Sequence, residues 1–302
     1  MKVAIAGASG MVGKALTEHL QSKGHSVTPI KRNPNAEQNG NNIFELVSPE
    51  YLDEFDAVIN LAGENIAAKR WSESQKKLII DSRVKTTTSL ARALAGSKLP
   101  KVFINASAVG IYGNRGSETL TESSQAGTGF LAETCKKWEE AASLAERPGL
   151  RTVKIRIGVV ISKNGGALSK MLLPFQLGGG GILGSGQQYM SWISIHDIVR
   201  AIVFILENQS LEGPVNLTAP TPVTNSEFTK IMGKVLHRPT ILPAPGFGLK
   251  LILGDMAQEM LLEGSKVMPE KLLSAGFKFE YPQLEGALLR EIKPQTPAQV
   301  SR

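Results

Sequence analysis

The chain has a single cysteine, Cys135, in 302 residues. No intramolecular disulfide is possible, so the fold must rest on its apolar core, and a reducing, cytoplasmic-type compartment is expected. The four histidines, His19, His25, His196 and His237, show no metal-ligand spacing, and no metal site is expected. No stretch approaches the roughly 20 apolar residues of a membrane-spanning helix, so no membrane partner is expected. The opening apolar run is broken at once by Gly7 and Gly10 and is too short for a signal segment. Acids are in deficit, 27 against 34 Lys and Arg, for a net charge of +7. The excess is scattered in short pairs (Lys31-Arg32, Lys69-Arg70, Lys76-Lys77, Lys136-Lys137) rather than gathered in a stripe. That pattern reads as a solvated surface and argues against a nucleic-acid partner, while favouring an anionic small ligand. A monomer or homodimer is expected.

What is present is an alternation of apolar runs. Lys2–Ala6, Val27–Ile30, Ala57–Leu61, Val102–Ala106, Thr152–Ile157 and Val215–Thr218 read as buried strands. Between them Met11–Ser22, Ser72–Ala95, Leu131–Glu146 and Ile198–Leu206 read as helices. Alternating strands and helices predict an α/β Rossmann fold with a doubly wound parallel sheet and right-handed crossovers. Gly178–Gly186 is glycine-rich and is expected to be a mobile loop. From Pro239 onward Pro and Gly punctuate short apolar helices, which predicts a small C-terminal substrate lobe. The expected division is a Rossmann domain over 1–238, with 158–196 contributing to the substrate pocket, a helical lobe over 239–292 and a frayed tail over 293–302.

Gly7-Ala8-Ser9-Gly10-Met11-Val12-Gly13 joins the first strand to the first helix. Glycines let a backbone turn tightly and approach a pyrophosphate, and the helix amino terminus supplies free N–H groups and a positive dipole end. Gly7, Ser9, Gly10, Met11 and Val12 are therefore candidate cofactor contacts. The second strand ends in Ile30-Lys31-Arg32-Asn33, with no acid from Val27 to Ala36. An acid here would accept from the adenosine ribose hydroxyls of NAD and repel a 2′-phosphate. Lys31 and Arg32 offer cations instead, and Arg32 can fork onto phosphate oxygens. The predicted cofactor is NADP(H).

Taken in order, GASGMVG, INLAG at Ile59–Gly63, NASAVGIYG at Asn105–Gly113, RIGVVI at Arg156–Ile161 and WISIHDIVRAI at Trp192–Ile202 resemble the extended short-chain dehydrogenase/reductases. The closer similarity is to their atypical epimerase-family branch, through AGENIAAKRWSESQKKLIIDSRVKTT (Ala62–Thr87), GFLAETCKKWEEAA (Gly129–Ala142) and the segment Leu251–Leu288. The resemblance covers nearly the whole chain apart from its tail. It implies that Leu61, Ala62 and Gly63 run beside the cofactor riboses. It places Ala106 and Ser107 near the nicotinamide, with Ile157, Gly158 and Val159 closing over it. Ser82 and Arg83 look like a second cofactor-contacting pair.

The group's catalytic signature, Tyr-x-x-x-Lys on one helix, does not carry over. Four residues after Tyr51, Tyr112, Tyr189 and Tyr281 stand Phe55, Gly116, Ile193 and Glu285. Alignment on Trp138-Glu139 puts Leu131 and Cys135 where the pair belongs. Ser107 and Tyr112 remain the catalytic candidates, Ser107 as a substrate-orienting hydroxyl and Tyr112 as a proton donor or a wall of the substrate mouth. Cys135 reads as a small buried residue, Asp197 as a helix cap or a pin for the glycine-rich loop, and Trp71 and Trp192 as pocket or core. Two functions stay open. One is an NADP(H)-dependent oxidoreductase or epimerase-like enzyme acting on a small, sugar-nucleotide-like substrate. The other is a catalytically inactive NADP(H)-binding sensor or regulatory protein.

The cations after the second strand generate a first prediction. Calorimetric titration is expected to show tighter binding of NADPH than of NADH, and Arg32→Ala to cost about 1–3 kcal/mol of that affinity. Equal affinities for the two nucleotides would contradict the assignment.

Overall fold

Six strands alternate with helices and lie side by side. They are β1 (Lys2–Ala6), β2 (Ser26–Ile30), β3 (Ala57–Asn60), β4 (Val102–Ala108), β5 (Arg151–Ile157) and β6 (Gly213–Leu217). The computed structural model describes residues 1–31, 47–241 and 243–293; Arg32 and all of the predicted tail but Lys293 lie outside them. The sheet order is β2-β1-β3-β4-β5-β6, and every pairing is parallel. The chain is therefore a doubly wound Rossmann-like α/β protein, as its alternation predicts.

The pleat explains the sheet's two buried faces. Val3 and Ile5 point to one side with Leu16 and Leu20 of α1 (Met11–Ser22). Ala4 and Ala6 point to the other with Leu90 and Leu94 of α2 (Glu73–Gly96). Helix α3 (Phe130–Ser143) lies beside α2, and the strongly amphipathic α5 (Ile195–Glu207) lies beside α1. Between these two in sequence comes α4 (Gly166–Gln176).

In the two central strands β3 and β4 two asparagines stand in register, Asn60 opposite Asn105. Both are wholly buried. Asn60 Nδ2 donates to Asn105 Oδ1 at 2.7 Å and to Thr87 Oγ1 of α2 at 2.9 Å. Trp138 Nε1 of α3 also donates to Thr87 Oγ1, at 2.9 Å. Thr87 in turn donates to Asn105 Oδ1 at 3.2 Å. One cluster thus ties two strands to two helices at the carboxyl end of the sheet.

Two local expectations are corrected. Gly178–Gly186 is stitched down on both sides: Gly184 N donates to Ala244 O at 2.9 Å, Ala244 N to Ile182 O at 2.8 Å, and Leu183 N to Asn225 Oδ1 at 2.8 Å. Asp197 does not pin that loop. Its Oδ1 and Oδ2 accept from Glu280 N and Tyr281 N at 2.8 and 2.9 Å, fastening the C-terminal segment to the start of α5. The C-terminal part of the chain also pairs Lys266–Val267 in parallel with Thr119–Leu120, a small two-stranded sheet apart from the central one.

Thr87→Val keeps shape and removes the shared acceptor, stranding the buried Asn60 and Trp138 donors. Urea denaturation is expected to show a loss of about 2–4 kcal/mol; a loss below about 0.5 kcal/mol would mean the cluster does not hold the carboxyl end together.

Candidate functional site at the strand carboxyl ends

The chain leaves β1 toward β2 and returns on the other side to β3, so the carboxyl ends of β1 and β3 form the topological switch point where such sheets bind ligands. The turn after β1 is closed by steric demand. Gly7 has φ +81°, and a β-carbon on it would lie 2.7 Å from Ala62 N. On Gly13 a β-carbon would lie 2.2 Å from Gly7 O. Gly10 differs: its β-carbon would meet only Gly7 O, at 3.3 Å, and the residue is exposed beside Ser9. Gly10 is also the N-cap of α1, with no side-chain cap and no acid in the first turn. The amide groups and positive dipole end of α1 are thus left for an anion. Met11 packs over Gly165 and Gly166, whose β-carbons would come within 3.2 and 3.4 Å of its side chain, and Val12 packs against the core.

Leu61 N donates to Ala6 O at 2.8 Å and Ala62 N to Asn60 Oδ1 at 3.2 Å, which holds Leu61-Ala62-Gly63 against the glycine turn. Ser82 is spent on this loop, accepting from Glu64 N at 3.0 Å and donating to Ile79 O at 3.0 Å. Arg83 reaches past Gly63, donates to Glu64 O at 3.0 Å and lies 5.1 Å over the Trp138 ring. Ala106 is buried at the end of β4. Beyond β5, Ile157, Gly158 and Val159 are half-buried, with Gly158 N on Leu217 O at 3.1 Å and Val159 N on Ser191 O at 2.8 Å. Lys31 is exposed at the end of β2.

The catalytic candidates occupy a different kind of place. Ser107 is 2% exposed and donates to Glu139 Oε1 at 2.7 Å. Glu139 is clasped by Arg156, Nε to Oε1 at 2.8 Å and Nη2 to Oε2 at 2.9 Å. Arg156 Nη1 donates to the Tyr112 hydroxyl at 2.9 Å, and that hydroxyl's one proton serves Asn216 Oδ1 at 2.8 Å or Thr121 O at 3.0 Å. Tyr112 is fully buried, and burial pushes its phenol above its ordinary pKa, although the Arg156 guanidinium pulls the other way. The expectation that Tyr112 donates a proton or lines the mouth is corrected on this ground: its hydrogen-bonding capacity is filled inside the core. Cys135 is buried beside this group, and burial, reinforced by Glu139, pushes its thiol up to about 12. Trp192 is wholly buried with Nε1 on Thr221 O, while Trp71 is nearly buried and packs edge-on against Phe130.

The family model described as NAD dependent epimerase/dehydratase family matches residues 3–217, and a domain of unknown function matches 244–291. The chain belongs to the NAD dependent epimerase/dehydratase family. An epimerase family protein from Mycobacterium leprae is 44% identical over 289 residues, covering 95% of this chain and 94% of that one. The human epimerase family protein SDR39U1 is 38% identical, with 97% and 99% covered. A crystal structure of human SDR39U1 (isoform 2) with NADPH superposes with a TM-score of 0.88 at 34% identity, covering 98% of this chain and all of that one.

Within the epimerase family this chain is atypical at the place of the Tyr–Lys pair. Leu131 fits against Gly110, where a β-carbon would sit 3.2 Å from it, and Cys135 takes the second position. Glu133 and Lys136 pair with each other at the surface at 2.7 Å. Glu259, from a π-helical turn over Gln258–Leu262, caps the start of α3 by accepting from Phe130 N and Leu131 N at 2.9 and 2.8 Å. Glu139, Arg156, Asn60, Asn105, Thr87 and Glu259 were not evident as site residues from spacing. The two asparagines could have been found as polar residues set among apolar ones in β3 and β4.

The contrast between the glycines is testable. Gly10→Val is expected to keep the fold and abolish binding of a dinucleotide, because its side chain enters the anion's approach path. Gly13→Ala is expected to lower Tm, because backbone cannot step aside for the new methyl. Circular dichroism with calorimetry reads both; a Gly10→Val protein that still binds would displace the ligand from this loop.

Proposed function

We propose that the chain is an NADP(H)-binding, epimerase-like protein whose role rests on holding the dinucleotide rather than on family-rate turnover. The observation that carries this is the pairing of an open, uncapped α1 amino terminus with a catalytic position occupied by Leu131 and a Cys135 thiol pushed up to about 12. The crystal structure of the related human protein with NADPH supports the cofactor choice. NADPH, when bound, supplies a hydride. The chain's own contribution is binding: α1 amides to the diphosphate, Lys31 and Arg32 to the 2′-phosphate. Leu61–Gly63, Ala106 and Ile157–Val159 flank the riboses and nicotinamide. The segment 239–292 is the substrate-side lobe.

Proton exchange with a substrate oxygen is what the site does not provide. Ser107 gives its proton to Glu139, Tyr112 is enclosed, and Cys135 stays protonated. A second reading, slow carbonyl–alcohol chemistry on a small, sugar-nucleotide-like substrate, is favoured by the position of Ser107 at the carboxyl end of β4. There its hydroxyl would orient the substrate once turned from Glu139.

The test is a turnover assay with NADPH over aldehydes, ketones and nucleotide sugars, run beside calorimetric NADPH binding. Tight binding is expected, with turnover depressed by the factor of about 10²–10⁴ that a placed general acid contributes. Ordinary family rates would overturn the reading, and residual activity lost on Ser107→Ala would promote the second one.

A further inference from the structure

The eight-residue helix Gly246–Leu253 has one polar side chain, Lys250, and no residue buried against the protein. A helix that is apolar nearly all round belongs in an apolar setting. Here Phe247 and Leu251, one turn apart, are 79% and 80% exposed, and Ile252 beside them is 67% exposed. Leu173 and Leu177, on α4 and at its end, are exposed as well, and so is Ile241. The backbone ties the two segments together. Arg238 Nε donates to Gln176 O at 2.9 Å and Ala244 N to Ile182 O at 2.8 Å, while a β-carbon on Gly246 would lie 3.7 Å from Gly184 Cα. Exposed apolar side chains gathered in this way mark a contact surface.

The same two stretches are stripped of negative charge. No Asp or Glu stands between Glu146 and Asp197, nor between Glu227 and Asp255. Lys170, Arg238 and Lys250 are exposed among the apolar side chains. A second copy of this chain would bring the same cations against these, so charge disfavours self-association here. An exposed apolar helix with cations and no acids suits the boundary of an anionic bilayer. Its apolar side chains sit below the headgroups, and a lysine stem carries its ammonium up to the lipid phosphates. Among the described residues no helix is long and apolar enough to cross a bilayer. The expectation of no membrane partner came from the missing span and concerns crossing; adsorption to one leaflet needs no span.

We propose that this face docks on an anionic lipid surface, with Phe247, Leu251 and Ile252 entering the headgroup boundary and Lys250 meeting lipid phosphates. Leu173, Leu177 and Ile241 widen the apolar contact, and Lys170 and Arg238 extend its positive rim. The inserted side chains are exposed rather than part of the core, so docking leaves the strand carboxyl ends as they are. The proposal goes beyond the dinucleotide-binding reading and does not depend on it.

Vesicle co-sedimentation of the full chain tests it. Vesicles of phosphatidylcholine mixed with phosphatidylglycerol are expected to bind the protein about tenfold or more tightly than pure phosphatidylcholine, and added salt is expected to weaken that binding. Phe247→Glu with Leu251→Glu is expected to abolish it while Tm stays at the wild-type value. Insertion is read separately with Phe247→Trp. The native Trp71, Trp138 and Trp192 are all buried and supply a constant background, so a blue shift on adding the anionic vesicles reports residue 247 alone. The proposal is overturned by a chain that ignores anionic vesicles, by binding that survives the double substitution, or by an emission that does not move. Binding to polyglutamate without binding to vesicles would overturn it in favour of an acidic protein partner.

Discussion

Helix α1 meets the end of β1 so closely that neither Gly7 nor Gly13 tolerates a side chain. This contact sets where the helix amino terminus points, and it also seats the Leu61–Gly63 loop, since the atoms nearest to a β-carbon on Gly7 belong to Leu61 and Ala62. The glycine turn at the switch point is thereby shaped by backbone contacts. Its anion-holding capacity comes from unpaired N–H groups and a dipole end, neither of which depends on a titratable side chain. Gly10, which has room around it, is the one glycine of the three whose openness serves the ligand rather than the packing.

Away from that contact the carboxyl ends of the strands are held by polar groups in an apolar setting. Asn60, Asn105, Thr87 and Trp138 satisfy one another, so their burial brings cohesion without orphaned donors. The Ser107–Glu139–Arg156–Tyr112 chain works in the same way on the α3 side. Its ion pair has side-chain exposures of only 10% and 12%, low enough that the geometry must be good for the pair to be tolerated. The bidentate clasp meets that demand. The consequence is functional: hydroxyls that elsewhere could face a substrate are drawn into the scaffold.

Arg83 stands apart from both networks because, among the described residues, its hydrogen bonds go to the backbone carbonyls of Ile79 and Glu64 rather than to a carboxylate. A fold that pairs its buried ions elsewhere, Arg156 with Glu139 and Asp197 with Arg200, leaves this one to stack on an indole. Stacking orients a guanidinium without neutralising it.

The sequence by itself determined the alternation of strands and helices, the glycine turn with its direction, the lack of an acid within the residues after β2 and the loss of the Tyr–Lys pair. All of these are local patterns of period, spacing or composition. It placed Ser82, Arg83, Ser107 and Tyr112 near the site only through resemblance. Tertiary structure decided what Ser107 and Tyr112 do, because their partners lie far along the chain: Ser107 to Glu139, Arg156 to Tyr112, Tyr112 to Asn216. It also decided that Gly178–Gly186 is fastened to Ala244 and Asn225, and that Asp197 holds Glu280 and Tyr281. A hydroxyl's chemistry depends on who accepts its proton, and a period of two or of 3.6 residues carries no record of a partner a hundred positions away.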